Sequence, residues 1–145
     1  MANHYLFAYG TLMQGLEYHS YIADTGGIFV ATATIPGRLY MCDDPALVED
    51  DEGGVVHGEL YQYEHLERAI PLLDEIELEG TMYKRIMLTA TLADGRHVEA
   101  VTYLYNVSVR SCTHIPSGDY RVYLHDKALT PEALAIPPGG APEGE

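Results

Sequence analysis

The stretch Leu72-Leu73-Asp74-Glu75-Ile76-Glu77-Leu78-Glu79-Gly80 crowds four carboxylates among apolar residues, just ahead of Tyr83-Lys84-Arg85. Helical spacing of Leu66, Ile70, Leu73 and Ile76 puts this acidic run at a helix C-terminus. That end carries partial negative charge, so acids there do not stabilise the helix and invite a functional reading. A carboxylate turned inward beside apolar neighbours has a raised pKa and becomes a proton-transfer group usable near neutrality. Asp74, Glu75 and Glu79 are equally explained as solvated surface, the usual place for acids in so acidic a chain.

A second pattern lies in Phe7-Ala8-Tyr9-Gly10-Thr11-Leu12-Met13, where an apolar run stops at a glycine. The turn that follows can aim several main-chain N–H groups at one point, forming a cradle for a small carboxylate or an oxyanion. Taken alone it is equally an ordinary strand-to-helix turn.

Other chemistries find little support. No G-x-x-x-x-G-K-[ST] or G-x-G-x-x-G segment occurs, which disfavours nucleotide binding. The histidines at 4, 19, 57, 65, 97, 114 and 125 form no H-x-x-H, H-E-x-x-H or Cys/His cluster, so no metal site is expected. No G-x-S-x-G elbow surrounds a serine, and Cys112 with His114 is no diagnostic nucleophilic pair. Glu59 with Glu77 could form a hydrolytic carboxylate pair only at a separation that sequence does not fix.

These groups must be positioned by one domain, because 145 residues is too short for two of ordinary size. His4 to Tyr9 reads as a buried strand and Leu16 to Asp24 as a short helix ending at Gly26-Gly27. Ile28 to Thr34 alternates as a strand, breaks at Pro36-Gly37 and resumes over Arg38 to Met41. Val55 to Tyr63 is a further strand, with His57, Glu59 and Tyr61 on one face. The helix from Glu64 to Glu77 should be kinked or split by Pro71. Met82 to Leu92 and His97 to Tyr105 flank Ala93-Asp94-Gly95-Arg96, a strong hairpin signal. Ser117 to Asp126 reads as a last short helix. The fold class expected is α+β: a small curled mixed β-barrel flanked by short helices, with residues 1–130 as the domain. Residues 131–145, rich in proline and glycine, are expected to be a flexible tail.

A formal net charge of −14 repels phosphate-rich partners, and Lys84-Arg85 is the sole adjacent basic pair, so no nucleic acid is expected. Acidic runs such as Asp43-Asp44 read as solvated surface. No apolar run approaches a membrane span, and no membrane partner is expected. Cys42 and Cys112, far apart and in no metal spacing, are expected to be free thiols in a reducing cytoplasm. Oligomeric state is open.

Taken in order, Tyr9-Gly10-Thr11-Leu12, Pro36-Gly37-Arg38-Leu39-Tyr40, Gly58-Glu59-Leu60-Tyr61, Leu73-Asp74-x-x-Glu77, Tyr83-x-Arg85 and Ile115-Pro116-Ser117-Gly118-Asp119-Tyr120 resemble the γ-glutamyl cyclotransferase-like family. The likeness covers most of the chain outside the tail. It implies a small barrel in which the Tyr9–Leu12 turn and one glutamate face each other across a cavity. The glutamate that follows Leu-Asp and precedes the Tyr-x-Arg strand is Glu77, with Glu79 as the alternative because it directly precedes Gly80. The implied activity is a cofactor-independent ring closure of transferase or lyase type, releasing 5-oxoproline from a small γ-glutamyl substrate in the cytoplasm. Glu77 is then the catalytic residue, and Tyr9, Gly10, Thr11, Leu12 and Tyr83 bind substrate. A non-catalytic module binding a small carboxylate on the same fold is the other reading.

Overall fold

The computed structural model describes residues 4–50 and 52–128. The proposed tail at 131–145 lies outside the described residues. Five strands close a barrel in the order β1, β5, β2, β6, β7, and three more form a small sheet in the order β4, β3, β8. Their ranges are β1 Tyr5–Ala8, β2 Ile28–Pro36, β3 Arg38–Met41, β4 Pro45–Val48, β5 Val55–Gln62, β6 Tyr83–Leu92, β7 His97–Tyr105 and β8 Thr113–Ile115. Helices α1 Ser20–Asp24, α2 Leu66–Ile76 and α3 Tyr120–Ala128 flank them. This is the mixed barrel with short helices that the sequence implies: every barrel pair is antiparallel except β1 with β7, which is parallel at Leu6↔Val101.

The hairpin forms as its Asp-Gly turn dictates, with Tyr83 opposite Tyr105 and Thr91 opposite His97. Gly95 sits at φ 90°, a backbone state that a side chain disfavours. β2 carries a bulge between Phe29 and Ala31. The break at Pro36-Gly37 then sends the chain into the second sheet, so β2 and β3 belong to different sheets. Alternation on β5 turns Val56, Gly58 and Leu60 inward. Glu59 and Tyr61, on the opposite face, are buried as well. Gln14 and Arg121, reaching in from outside the strand, cover Glu59 there. At Gly58 a Cβ would fall 2.3 Å from the Ala8 carbonyl oxygen, so only glycine lets β1 approach β5 this closely. Leu6, Leu60, Ala90 and Ala100, all fully buried, belong to a core that extends through Leu73 of α2 and Leu39 of β3.

Three expectations are corrected. α2 is one uninterrupted helix with Pro71 inside it. The proline removes the N–H that would bind the Glu67 carbonyl, but Glu67 is exposed and water can serve that carbonyl. α1 is shorter than the pattern indicates, because residues 11–18 form successive turns. Cys42 and Cys112 are joined in a disulfide. Pairing of Met41 with Thr113 sets the two preceding and following residues side by side, at a Cα–Cα distance of 4.6 Å, although 70 positions separate them. β4 and β8, too short to show periodicity, were not legible. Among the described residues, no helix is long and apolar enough to cross a membrane.

Candidate active site

The end of β1, the β3–β4 loop, the end of α2 and the start of the β6–β7 hairpin enclose a cavity of about 280 Å³. Tyr9, Gly10, Thr11, Leu12, Glu77 and Tyr83 all line it, so the residues singled out from the sequence come together in one place. Tyr18, Thr102, Tyr103 and Tyr105, not singled out from the sequence, also line it, whereas Glu79 lines no part of it. Asp43 and Asp44, read from sequence as solvated surface, are exposed but form part of the wall. Their only sequence signal is the Asp-Asp-Pro string, which denotes a turn and no particular site.

The turn after β1 is organised through its carbonyls. The N–H of Met13 binds the Gly10 carbonyl at 3.1 Å, the N–H of Tyr18 binds that of Thr11 at 2.9 Å, and His19 Nδ1 lies 2.9 Å from that of Leu12. Among the described residues, the N–H groups of Gly10, Thr11 and Leu12 donate to no main-chain acceptor. Successive N–H groups left free beside a cavity form an anion-binding nest. A Cβ on Gly10 would stand 3.0 Å from Pro45 Cγ, so the β3–β4 loop packs directly on this turn.

Glu77 is the C-cap of α2. Its position is fixed by a helix-ending motif in which the Glu79 N–H binds the Asp74 carbonyl at 2.9 Å and the Leu78 N–H binds that of Glu75 at 3.3 Å. Glycine usually occupies the left-handed position of this motif; here Leu78 does, at φ 53°. That conformation costs a side-chain-bearing residue on the order of 1 kcal/mol. It gives the cavity an apolar wall beside the carboxylate, since Leu78 lines it too. Asp74 anchors the helix end: its carboxylate accepts the Tyr103 hydroxyl at 2.7 Å and pairs with Arg85 of β6.

Burial pushes the Glu77 carboxyl up to about 7, with a further contribution from the negative charge of Asp44. Among the described residues, no Lys, Arg or His forms an ion pair with it. Three tyrosines surround it. The Tyr83 hydroxyl donates to the Pro45 carbonyl at 2.7 Å, and that of Tyr9 donates to the Tyr103 carbonyl at 2.7 Å. Burial, then the charge of Glu77, raises the Tyr83 pKa, and Tyr9 and Tyr103 are also raised, chiefly by burial. All three therefore stay neutral hydroxyls. Glu59 is elsewhere: it lines a separate groove on the barrel with His57 and Arg121. No carboxylate pair of Glu59 with Glu77 shares the cavity.

A closed barrel in which a desolvated glutamate and a turn of unbonded amides line one cavity sets the architecture of the site, and the sequence itself falls in one family. The chain belongs to the γ-glutamyl cyclotransferase, AIG2-like family, whose model matches residues 6–122. A provisionally named γ-glutamylcyclotransferase of Methanocaldococcus jannaschii is 28% identical over 120 residues, spanning 82% of this chain and 97% of that protein. Another provisionally so named, of Halalkalibacterium halodurans, is 38% identical over 94 residues, 59% of this chain and 78% of that one. The crystal structure of an AIG2-like protein from Mus musculus superposes with a TM-score of 0.70 at 22% identity, covering 83% of this chain and 89% of that one, a likeness of fold.

Proposed function

We propose that the protein is a γ-glutamyl cyclotransferase acting on γ-glutamyl amides, with Glu77 as its proton-transfer residue. The observation that carries this reading is an acid with a pKa of about 7, lining the same cavity as the open N–H groups of residues 10–12. A base of that strength is half ionised near neutrality, where it can both accept and return a proton.

In this reading the substrate's α-carboxylate sits in the nest of Gly10, Thr11 and Leu12. The chain folds back so that its γ-carbonyl lies within reach of its own α-nitrogen. Ionised Glu77 takes a proton from the α-ammonium, and the freed amine attacks the γ-carbonyl carbon, closing a five-membered ring. The nucleophile belongs to the substrate, so the enzyme chiefly supplies a folded conformation and a proton relay, and holding two reacting groups together accounts for much of the barrier reduction. Protonated Glu77 then gives its proton to the departing nitrogen as the γ-carbon–nitrogen bond breaks, and the second proton of the attacking nitrogen passes through the same carboxylate to the released amine, which leaves as its ammonium. The products are 5-oxoproline and a free amine. Tyr83, neutral and anchored on Pro45, walls the reacting centre away from water.

The lining also bears on the leaving group. Asp43 and Asp44 stand at the cavity wall with Glu77, and no Lys, Arg or His lines it. An amine carrying a further positive charge fits this rim, and one carrying a free carboxylate is repelled by it. The test is to incubate the protein with a panel of γ-glutamyl amides and to follow 5-oxoproline and the released amine together by mass spectrometry. Stoichiometric appearance of both, abolished by Glu77→Gln, is the expected result. A module that only binds small carboxylates protects its ligand and releases neither.

A further inference from the structure

The disulfide between Cys42 and Cys112 bears directly on the cavity wall. Cys42 immediately precedes Asp43, Asp44 and Pro45, which line it, and the Cys42 N–H binds the Asp44 carbonyl at 3.1 Å. Pro45 in turn touches both halves of the candidate site: its ring packs on Gly10 and its carbonyl accepts the Tyr83 hydroxyl. On the far side, Cys112 immediately precedes β8, which is held to β3 by only three paired positions, Leu39↔Ile115, Tyr40↔His114 and Met41↔Thr113. The residues before it, 106–111, are mostly exposed loop. The wall itself is the turn of the β3–β4 hairpin, closed by the Met41↔Pro45 pair, and the disulfide adds a covalent tie from the residue that opens this turn to β8. Both cysteines are half-buried.

We propose that the Cys42–Cys112 disulfide is a redox strap: oxidised, it holds the Asp43–Pro45 wall against the Gly10 turn and Tyr83, and reduction by a dithiol releases that wall and lowers turnover. The inference rests on reading the cavity as the cyclotransferase site. Reduction proceeds by thiolate attack on one sulfur, giving a mixed disulfide that the reagent's second thiol resolves. Two electrons and two protons pass to Cys42 and Cys112, and the dithiol closes to its own disulfide. The change is reversible, as a switch requires.

Loosening the wall also changes what surrounds Glu77. The groups that face it are Asp44 from this loop, Tyr9 from the end of β1, Tyr83 from β6 and Tyr103 from β7. Moving Asp44 away and admitting water both favour the ionised carboxylate. The acid limb of the pH–rate profile therefore moves to lower pH in the reduced protein.

The experiment compares air-oxidised protein, the same protein reduced with dithiothreitol, reduced protein reoxidised, and the double variant Cys42→Ser/Cys112→Ser. Iodoacetamide labelling and intact mass count free thiols, hydrogen exchange follows the Met13 and Tyr18 amides, which bind the Gly10 and Thr11 carbonyls, and residues 42–48, and 5-oxoproline release gives kcat/KM. The expected result is faster exchange in both segments and a fall in kcat/KM of about ten-fold on reduction, restored by reoxidation and reproduced by the double variant. Should the double variant fail to fold, the reduced and reoxidised wild type decide. Two free thiols in the air-oxidised protein, or exchange unchanged on reduction, overturns the strap, as does faster exchange with kcat/KM unaltered. If the oxidised protein turns over no γ-glutamyl amide, the cyclotransferase reading fails separately, and exchange at the Met13 and Tyr18 amides still decides whether the disulfide governs the cavity.

Discussion

Glu59 and Glu77 are both carboxylates drawn out of bulk water, and the molecule treats them in opposite ways. The Glu59 side chain, 8% exposed, accepts the Arg121 guanidinium at 2.8 Å, the Tyr61 hydroxyl at 2.6 Å and the Gln14 N–H at 2.8 Å. Its charge is matched and its lone pairs are used, so it ties β5 to the residue 14 turn and to α3. Glu77 has the opposite surroundings: an apolar neighbour in Leu78, a second carboxylate in Asp44, the negative end of α2, and no cation. Burial alone thus does not mark a reactive group. Burial without a partner does, because the cost of the charged form appears as a raised pKa.

The sharpest way to break this contrast is to neutralise each acid. Glu77→Gln keeps the shape and removes the proton acceptor, and kcat/KM for 5-oxoproline release is expected to fall by about 10³-fold, the scale of a lost general base. Glu79→Gln, outside the cavity, is expected to stay within a few-fold of wild type. A Glu77→Gln protein that turns over as fast as wild type refutes the assignment.

The same substitution has a second, smaller signature in stability. The folded-state pKa of Glu77, about 7, stands above its ordinary value of 4.5. The native state therefore binds more protons than the unfolded chain between those values. Stability from this source is complete below about pH 4.5 and is lost as pH rises through 7. Glu77→Gln escapes that loss, so its stability relative to wild type should grow from pH 4.5 to pH 8 by no more than about 3 kcal/mol. Urea unfolding at several pH values reads this directly. Glu59 should behave differently: Glu59→Gln strands Arg121, and because Arg121 is 43% exposed the cost is discounted to about 2 kcal/mol. Turnover per folded molecule should be little changed.

Much of this site was legible in sequence for an identifiable reason. The turn at residues 9–12 and the acid at 77 sit where a strand and a helix end, and glycine, apolar periodicity and misplaced charge mark such ends locally. The hairpin was legible because Asp94-Gly95 fixes its turn. What was missed depends on contacts between distant segments. Asp43 and Asp44 are solvent-exposed, as their charge suggests, and join the cavity wall only because the adjoining Pro45 packs on Gly10, and the Cys42–Cys112 pair exists only because Met41 meets Thr113. Pro71 shows the converse: the local rule called for a kink or a split, and packing of Leu66, Ala69 and Leu73 into the core holds one helix across it, so the split does not occur.

The wall acids allow the contrast to be sharpened further. Substrates matched in size but differing in the distal charge of the leaving amine should separate, with the cationic member favoured over the anionic one. A carboxylate a few ångströms away in a solvent-open site contributes on the order of 1 kcal/mol, or roughly five-fold in kcat/KM. Equal rates for the two members refute a role for the rim in selection.

The smallest expected effect separates the two causes of the raised pKa at Glu77. Burial is the larger and Asp44 the lesser. Asp44→Asn removes the nearby charge while leaving Leu78, Tyr83 and the turn in place. The acid limb of the pH–kcat/KM profile, which falls as pH drops below about 7 because Glu77 must be ionised to accept a proton, should therefore move to lower pH in the variant. It should not return to the range of an exposed glutamate, since desolvation persists. A profile that collapses to that range instead assigns the whole perturbation to charge, and the comparison of two desolvated acids then fails at Glu77.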